Sequence, residues 1–412
     1  MNLIFNEYIE FLKSKTDIPG LKQGYFWLDK QIIKYFNSNF EICKYARIYV
    51  SDNLEVSYKL YNNSDLDIVN IDKVIEHYSD RLKQLEEESI ELIKSKYKDK
   101  EKVILSSTGK DSMVVTHLVR KVYPNALVVF NNTSMDVACT YKMAKSIDNC
   151  IILSPKQGFY NWREENNFIP TRFARACCNI FKEKVFVDNW DKDKETVIYL
   201  GMRNEESLNR SNYEDEWHNN KWSYKWHGIL PIRKWTELDV WLYTIANNIP
   251  INDKYKQGYS RVGCGIVCPY YTKSTWVLDK YFYPLQYERW HKILDKDFLE
   301  NNKDLILNCN RSEYHKCWNG GKYREDADLI TILEFAERSG LDYNVATKYF
   351  DRTCECGKRI KGKEVSAMNM KFYGRNIDKF KCKKCIMNDL EITENDWNNY
   401  IRDFKLQGCK LF

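Results

Sequence analysis

At 412 residues the chain is long enough for two or three domains and at least one sizeable core. With 43% hydrophobic and 30% charged residues it reads as globular, which excludes a disordered or fibrous chain. The net charge of +6 is concentrated: residues 352–384 hold eleven Lys or Arg against three acids and the rest is about neutral, so an acidic partner is predicted for that segment alone.

No apolar run approaches the ~20 residues that cross a bilayer. Met1-Asn2-Leu3-Ile4-Phe5-Asn6-Glu7 lacks the basic stretch and apolar core of a secretory signal, so a cytoplasmic protein with no membrane partner is predicted. Residues 1–70 mix aromatics, charges and short alternating runs such as Ala46-Arg47-Ile48-Tyr49-Val50, and read as a small α+β extension. A long helix is predicted from Asp72 to Lys98, because Val74, Ile75, Tyr78, Leu82, Leu85, Ile90 and Ile93 recur at helical intervals. Residues 101–250 alternate strand and helix signals. Val103–Leu105, Ala126–Phe130, Cys150–Leu153 and Thr196–Leu200 read as buried strands of an α/β, doubly wound parallel sheet. A Gly-rich loop region surrounds Gly258, Gly263 and Gly265, and 274–345 reads as helical. Residues 350–390 are Lys-rich, contain Cys and are poor in large aliphatics, as a separate small module would be. The predicted division is 1–98, 99–290, 291–348 and 349–412.

The most informative stretch is Ser107-Thr108-Gly109-Lys110-Asp111-Ser112, set between the strand Val103–Leu105 and the helix-like run from Met113. A small Gly-containing turn that opens a helix is suited to phosphate. Its backbone N–H groups can close on the oxygens past Gly109, and the first helical N–H groups add partial positive charge. Lys110 can reach a phosphate, and Ser107 and Ser112 offer hydroxyls. The spacing is not that of the Walker loop. A capped strand–turn–helix junction without a ligand is the plainer alternative.

Further motifs follow in order. Phe130-Asn131-Asn132-Thr133-Ser134 ends the second strand; Gly201-Met202-Arg203-Asn204-Glu205-Glu206-Ser207 precedes Arg210. Trp226-His227-Gly228-Ile229-Leu230-Pro231-Ile232 leads to Trp235-Thr236-Glu237-Leu238-Asp239-Val240-Trp241, and Arg261-Val262-Gly263-Cys264 comes last. Together, over about residues 100–285, these resemble the phosphoadenosine-phosphosulfate reductase superfamily of pyrophosphate-loop enzymes. The resemblance implies an adenine nucleotide alpha-hydrolase-like fold, with Ser107, Thr108, Gly109, Lys110, Asp111 and Ser112 as the nucleotide-phosphate loop and Asn132 and Thr133 near the base and ribose. Thr108 stands where many members have Gly. Lys110 and Asp111 are then catalytic, and Arg203 and Arg210 match arginines turned toward the sulfate or second substrate, a task suited to the planar guanidinium fork. Surface ion pairs with Glu205 or Glu206 are the other reading of these arginines. Because Lys110, Asp111 and Ser112 are all kept, the loop resembles the branch that uses ATP, and Mg²⁺ is implied to neutralise the pyrophosphate.

Of the fourteen cysteines, Cys43, Cys139, Cys150, Cys309 and Cys409 read as singles. Cys177-Cys178 and Cys264-Gly265-Ile266-Val267-Cys268 supply four thiolates and resemble the Cys-Cys…Cys-x-x-Cys set of cluster-bearing adenosine-phosphosulfate reductases, which implies a [4Fe–4S] cluster. The second pair here has one extra intervening residue, and a zinc site or buried thiols remain alternatives. Arg172, Arg175, Lys182 and Lys184 flank the first pair, and Cys317 is a substitute ligand. Cys354-Glu355-Cys356 and Cys382-Lys383-Lys384-Cys385 predict a structural Zn²⁺ site in the last module, which has too little apolar surface to fold without metal. The alternative is a mobile Glu355-Cys356-Gly357 nucleophile of the reductase kind. Lys371, Phe372, Tyr373 and Arg375 interleave aromatic and basic residues as a nucleic-acid surface does.

The expectation is therefore an ATP-dependent, pyrophosphate-releasing sulfur-transfer or adenylyl-transfer enzyme with an iron–sulfur cluster. Nucleic acid and a sulfur-donor protein are its candidate partners. A sulfonucleotide reductase of sulfate assimilation and a non-catalytic nucleotide sensor are the alternatives.

Overall fold

The computed structural model describes residues 1–51, 53–61, 66–170, 176–301, 354–358, 360, 363–374 and 380–406. Its contacts divide into two units, Met1–His291 and Lys292–Phe412. No helix among the described residues is long and apolar enough to cross a membrane.

The first unit begins with an antiparallel meander of five strands: β1 (Asn2–Leu3), β2 (Phe26–Asp29), β3 (Ile32–Phe36), β4 (Ile42–Val50) and β5 (Val56–Leu60). Helix Asn6–Lys13 lays Tyr8, Ile9, Phe11 and Leu12 against it, so the amphipathic face and the alternating strands share one core. The helix predicted from Asp72 to Lys98 is two helices, Ile71–His77 and Ser79–Ser95. Tyr78 leaves helical geometry (φ −94°, ψ 6°), yet its N–H still donates to Val74 O at 3.1 Å and its carbonyl accepts from Leu82 N at 3.0 Å. The ladder bends here without breaking.

The second sheet has β6 (Glu101–Leu105), β7 (Leu127–Asn131), β8 (Cys150–Leu153), β9 (Thr196–Tyr199), β10 (Glu216–Trp217) and β11 (Trp226–Ile229), in the order β10-β11-β9-β6-β7-β8. All neighbours are parallel except β10. Alternation along the strands sorts the core into two faces. Ile104, Val128, Val197 and Tyr199 join the large cluster with residues of helices Ser79–Ser95, Lys110–Val122 and Glu237–Ala246. Val103, Val129 and Ile198 pack on the other side with Phe186 of helix Lys184–Asn189 and with Trp226. Both faces are covered, as in a doubly wound α/β fold. The chain lays β7 and β8 to one side of β6, then returns to place β9 on the other. That reversal opens a crevice at the carboxyl ends of the strands.

Helices Lys273–Phe282 and Pro284–Asn301 follow; residues 302–353, and with them most of the predicted helical region, lie outside the described residues. Asp279 is fully buried, and Tyr259 Oη donates to its Oδ1 at 2.7 Å. Burial pushes its pKa up to about 6 against the pull of Lys254 and Tyr259. A carboxyl whose pKa is raised by folding favours the native state while protonated, and that stability is lost as pH climbs from about 4 to 6. Asp279→Asn is expected to gain roughly 3 kcal/mol over wild type above pH 6 and little below pH 4, at about 1.4 kcal/mol per pH unit of displacement. Urea unfolding at the two pH values checks this.

In the second unit, helices Lys363–Tyr373, Lys383–Asp389 and Glu394–Leu406 enclose Ala367, Met368, Met370, Phe380, Ile386, Trp397 and Ile401. The segment thus buries more apolar surface than its Lys-rich composition suggests. Its apolar residues are spread at helical spacing, many are Met or aromatic, and two of the largest lie beyond residue 390.

Candidate functional site

Between β6 and helix Lys110–Val122 the chain makes a tight loop. Thr108 takes the left-handed conformation (φ +58°), which is costly for a β-branched residue. It is fully buried, and its Oγ1 accepts from Asn252 Nδ2 at 2.8 Å. Gly109, expected to supply the loop's freedom, is extended instead (φ −77°, ψ 155°) and caps the helix without a side chain. Ser106 ties the loop together: its Oγ accepts from Thr108 N at 3.2 Å and lies 3.2 Å from Ser112 Oγ. Where β9 ends, Gly201 passes so close to the helix start that a Cβ would lie 2.8 Å from Asp111 C and Ser112 N. Only glycine lets that crossing carry Arg203 to the loop.

The loop opens on a cleft of about 380 Å³, within the span of small-molecule sites, about 300–1,000 Å³. Of the predicted site residues, Ser107, Gly109, Asp111, Ser112, Thr133 and Arg210 line it. Lys182, Arg261 and Asp136 do so as well. Thr133 Oγ1 donates to Asp136 Oδ2 at 2.6 Å, and burial raises the Asp136 pKa. Thr108, Lys110, Asn132 and Arg203 are not among its lining residues; Thr108, Lys110 and Arg203 are buried and Asn132 is half-exposed. Asn132 is used locally: its Oδ1 accepts from Ser134 N and Tyr141 Oη, both at 2.7 Å, and its Nδ2 donates to Ser154 Oγ at 3.0 Å.

Lys110, Asp111 and Arg203 are bound to one another. Lys110 Nζ donates to Asp111 Oδ2 at 2.9 Å and lies 3.4 Å from Glu237 Oε1. Arg203, 4% exposed, donates from Nε to Asp111 Oδ1 at 2.6 Å and from Nη1 to Glu205 Oε2 at 2.8 Å. Burial pushes the Asp111 pKa up, but the two cations outweigh it and hold the carboxyl below its ordinary value. The second predicted arginine, Arg210, pairs with Glu206. Arg203 thus acts on Asp111, and among the described residues the cations that face the cleft are Lys182, Arg210 and Arg261. Ser106 carried no motif-level signal, Lys182 was visible in sequence only as a neighbour of the thiols, and Glu237 and Arg261 sat in quoted motifs without a role assigned to them.

Those thiols adjoin the cleft. Cys177, Cys264 and Cys268 are buried and Cys178 is half-buried. Cys177 hydrogen-bonds Cys178, Cys264 hydrogen-bonds Cys268, and Cys177 feels the charges of the later pair. Arg261 Nη2 donates to Cys268 Sγ at 3.3 Å. The Cys264 hydrogen bond, then Arg261, lower the Cys268 pKa to about 6 against its burial. Lys182 has its pKa raised by Cys264 foremost. Lys182 and Arg261 therefore stand between the thiols and the cleft. Arg172, Arg175 and Cys317 lie outside the described residues.

In the second unit, Cys354, Cys356, Cys382 and Cys385 bring their sulfurs within 4.8 Å of one another, and could hold a metal ion. Cys356 Sγ and Cys382 Sγ are 3.7 Å apart. Four thiolates at about 2.3 Å from a tetrahedral zinc would sit about 3.8 Å apart. A knuckle presents the first pair: Gly357 N donates to Cys354 O and Cys354 N to Lys358 O, both at 2.8 Å, with Gly357 at φ +77°. The Cys177, Cys178, Cys264 and Cys268 sulfurs do not converge in this way. The aromatic–basic stretch packs inward: Phe372 meets Tyr400 and Phe404 at centroid distances of 5.2 and 6.2 Å, and Lys371 lies 4.7 Å from the Phe404 ring centre. Tyr373 Oη donates to Asp389 Oδ2 at 3.0 Å; Lys381 pairs with Asp389 and Lys383 with Glu394. Arg375 lies outside the described residues.

Residues 101–269 match the phosphoadenosine phosphosulfate reductase domain family. An uncharacterized protein of Methanocaldococcus jannaschii is 29% identical over 292 residues, 68% of this chain and 56% of that protein. The chain thus spans little more than half of that relative's length. An adenosine 5'-phosphosulfate reductase of Lysinibacillus sphaericus is 26% identical over 193 residues, 43% of this chain and 78% of that protein. A solved phosphoadenylyl-sulfate (PAPS) reductase from Candida auris, in a phosphate complex, matches 49% of this chain and 98% of its own at 15% identity; its TM-score of 0.35 is too low to bear on the fold. The domain match and the reductase relatives agree with the parallel sheet and its loop, and residues 101–269 form a domain of the phosphoadenosine phosphosulfate reductase superfamily.

Proposed function

We propose that the cleft binds ATP with Mg²⁺ and that the protein transfers the adenylyl group, releasing pyrophosphate, as the activating step of a sulfur transfer. One observation carries this reading: a hydroxyl-rich loop at the start of a thirteen-residue helix faces a cleft that also presents Lys182, Arg210 and Arg261. Loop N–H groups, the helix start and three cations together suit a polyphosphate. An oxyanion of the acceptor attacks the α-phosphorus, the bridging bond to the β-phosphate breaks, and pyrophosphate leaves with the electron pair. Asp111 is held ionised on the cleft wall and keeps lone pairs beyond those used by Lys110 and Arg203, so it can hold Mg²⁺. The ion would neutralise charge on the departing pyrophosphate.

Cys177, Cys178, Cys264 and Cys268 suit a [4Fe–4S] cluster, which would supply redox chemistry beside the cleft. Lys182 and Arg261 offset its negative charge. Cys354, Cys356, Cys382 and Cys385 hold Zn²⁺ on this reading. Cys356 is then a ligand and not a mobile nucleophile, which favours ATP chemistry over sulfonucleotide reduction. A nucleic-acid acceptor met by the basic second unit and a sulfur-donor protein complete the proposal.

Metal-replete protein incubated with ATP and Mg²⁺ is expected to release pyrophosphate, with water standing in for the absent acceptor and taking the adenylyl group as AMP. Lys110→Ala and Asp111→Ala should each slow this at least 100-fold. Sulfite release from a sulfonucleotide, with ATP untouched, would decide for the reductase. Tight ATP binding without any cleavage would decide for a sensor.

A further inference from the structure

Lys254 lies on the short helix Asp253–Lys256, and none of its side chain reaches solvent. Tyrosines hold its ammonium. Nζ donates to Tyr271 Oη at 2.7 Å and lies 4.2 Å from the ring centre of Tyr259 and 4.9 Å from that of Tyr271. A cation buried this way is costly, because neither a phenol nor a ring face replaces its hydration fully. Burial accordingly lowers the Lys254 pKa, opposed by the charge of Asp279 foremost. Packing alone would be served better by an apolar side chain of the same length.

The lysine sets the direction of a hydrogen-bond chain. An ammonium has donors and no acceptor. With Nζ–H on its oxygen, Tyr271 can only turn its own proton outward, and it donates to Val262 O at 3.1 Å. Arg261, Val262 and Gly263 form one wall of the cleft. The phenol also presses directly on that wall: a Cβ on Gly263, which sits at φ +63°, would lie 2.6 Å from Tyr271 Oη. Nothing larger than glycine fits between strut and cleft.

The geometry points to Lys254 and Tyr271 as positioning residues, a buried strut that fixes the Arg261–Gly263 wall in register with the phosphate loop opposite. This rests on the nucleotide reading above. The strut touches no reacting atom. It acts by holding Arg261, whose guanidinium meets both the cleft and Cys268, at a set distance from the loop.

A structural and a positioning role predict opposite patterns for Lys254→Met, which keeps length and removes the charge. For a positioning strut, the Kd for ATP measured by calorimetry weakens at least tenfold at temperatures where the variant remains folded, whatever stability it loses through Asp279. Amide exchange at Val262, Gly263 and Cys264 should accelerate at least tenfold, with the strands of the N-terminal meander unaffected. Tyr271→Phe, which keeps the ring and removes the hydroxyl, should reproduce the loss of affinity and the faster exchange; it carries the test if Lys254→Met does not fold. A lower melting temperature with a Kd within twofold of wild type would make Lys254 a packing residue and overturn the inference. If wild-type protein binds no ATP, the nucleotide reading falls, and unchanged exchange at those three amides in both variants then sinks the strut on its own.

Discussion

Arg203→Ala is expected to lower unfolding stability at pH 7 by about 3–5 kcal/mol, the usual cost of removing one partner from a buried ion pair. The cost falls on Asp111. Glu205 is half in solvent, at 53% exposure, and can rehydrate, whereas the Asp111 side chain is only 16% exposed and would keep Lys110 alone as a counter-charge. The pH dependence follows from the direction of the Asp111 shift. Its pKa is lowered in the fold, so its stabilising contribution is fully present above the unfolded value of about 3.9 and is lost as pH falls through the native value. The gap between wild type and Arg203→Ala should therefore be widest near neutrality and shrink below about pH 4. Arg203→Lys keeps the charge but not the fork that reaches Asp111 from Nε and Glu205 from Nη1, and should recover only part of the loss. Denaturant unfolding of the three proteins at pH 7 and pH 3.5 reads all of this. A full recovery by Lys, or a gap independent of pH, would mean that Arg203 packs and does not hold Asp111.

Arg203 also shows where sequence reasoning stops. Its motif was plain, and the resemblance turned it toward an oxyanion. What decides its partner is the pairing of β9 with β6, Ile104 opposite Tyr199, which brings the segment after β9 across the start of helix Lys110–Val122. No local spacing encodes that register. The loop was legible because strand, Gly and Ser, and helix follow one another within a dozen residues. The strain at Thr108 was not, since it is held by Asn252, 144 residues away in sequence. Lys254 reads as an ordinary lysine at a helix start until Tyr259 and Tyr271 close over it. The paired cysteines were legible at both thiol groups, because two short spacings survive any fold. Their geometry was not: among the described residues it is the second unit that draws four sulfurs close enough for a single ion.

Cys382→Ser should bring the largest loss. Wild-type protein is expected to hold one zinc ion per chain in the second unit, and the variant none. Cys382 is buried and immediately precedes helix Lys383–Asp389, so it joins the metal group to the unit's core at the point where Ile386 enters it. Zinc binding in small modules is worth about 10–16 kcal/mol at neutral pH, and that energy is spent on folding. The core around Met368, Phe380, Ile386 and Trp397 offsets part of the loss, so a helical but loosened unit is expected rather than a fully unfolded one. Helix signal in the far ultraviolet should fall only partly, while Trp397 fluorescence shifts to the red and proteases cut between Gly357 and Lys383. Cys356 is exposed, and Cys356→Ser should weaken zinc affinity less than Cys382→Ser while leaving ATP cleavage intact. The same serine would abolish sulfite production in a reductase that used Cys356 as its nucleophile. Metal analysis and both activity assays on these two variants therefore separate a ligand from a nucleophile: zinc retained with activity lost would make Cys356 chemical, and zinc lost with ATP cleavage kept makes it structural.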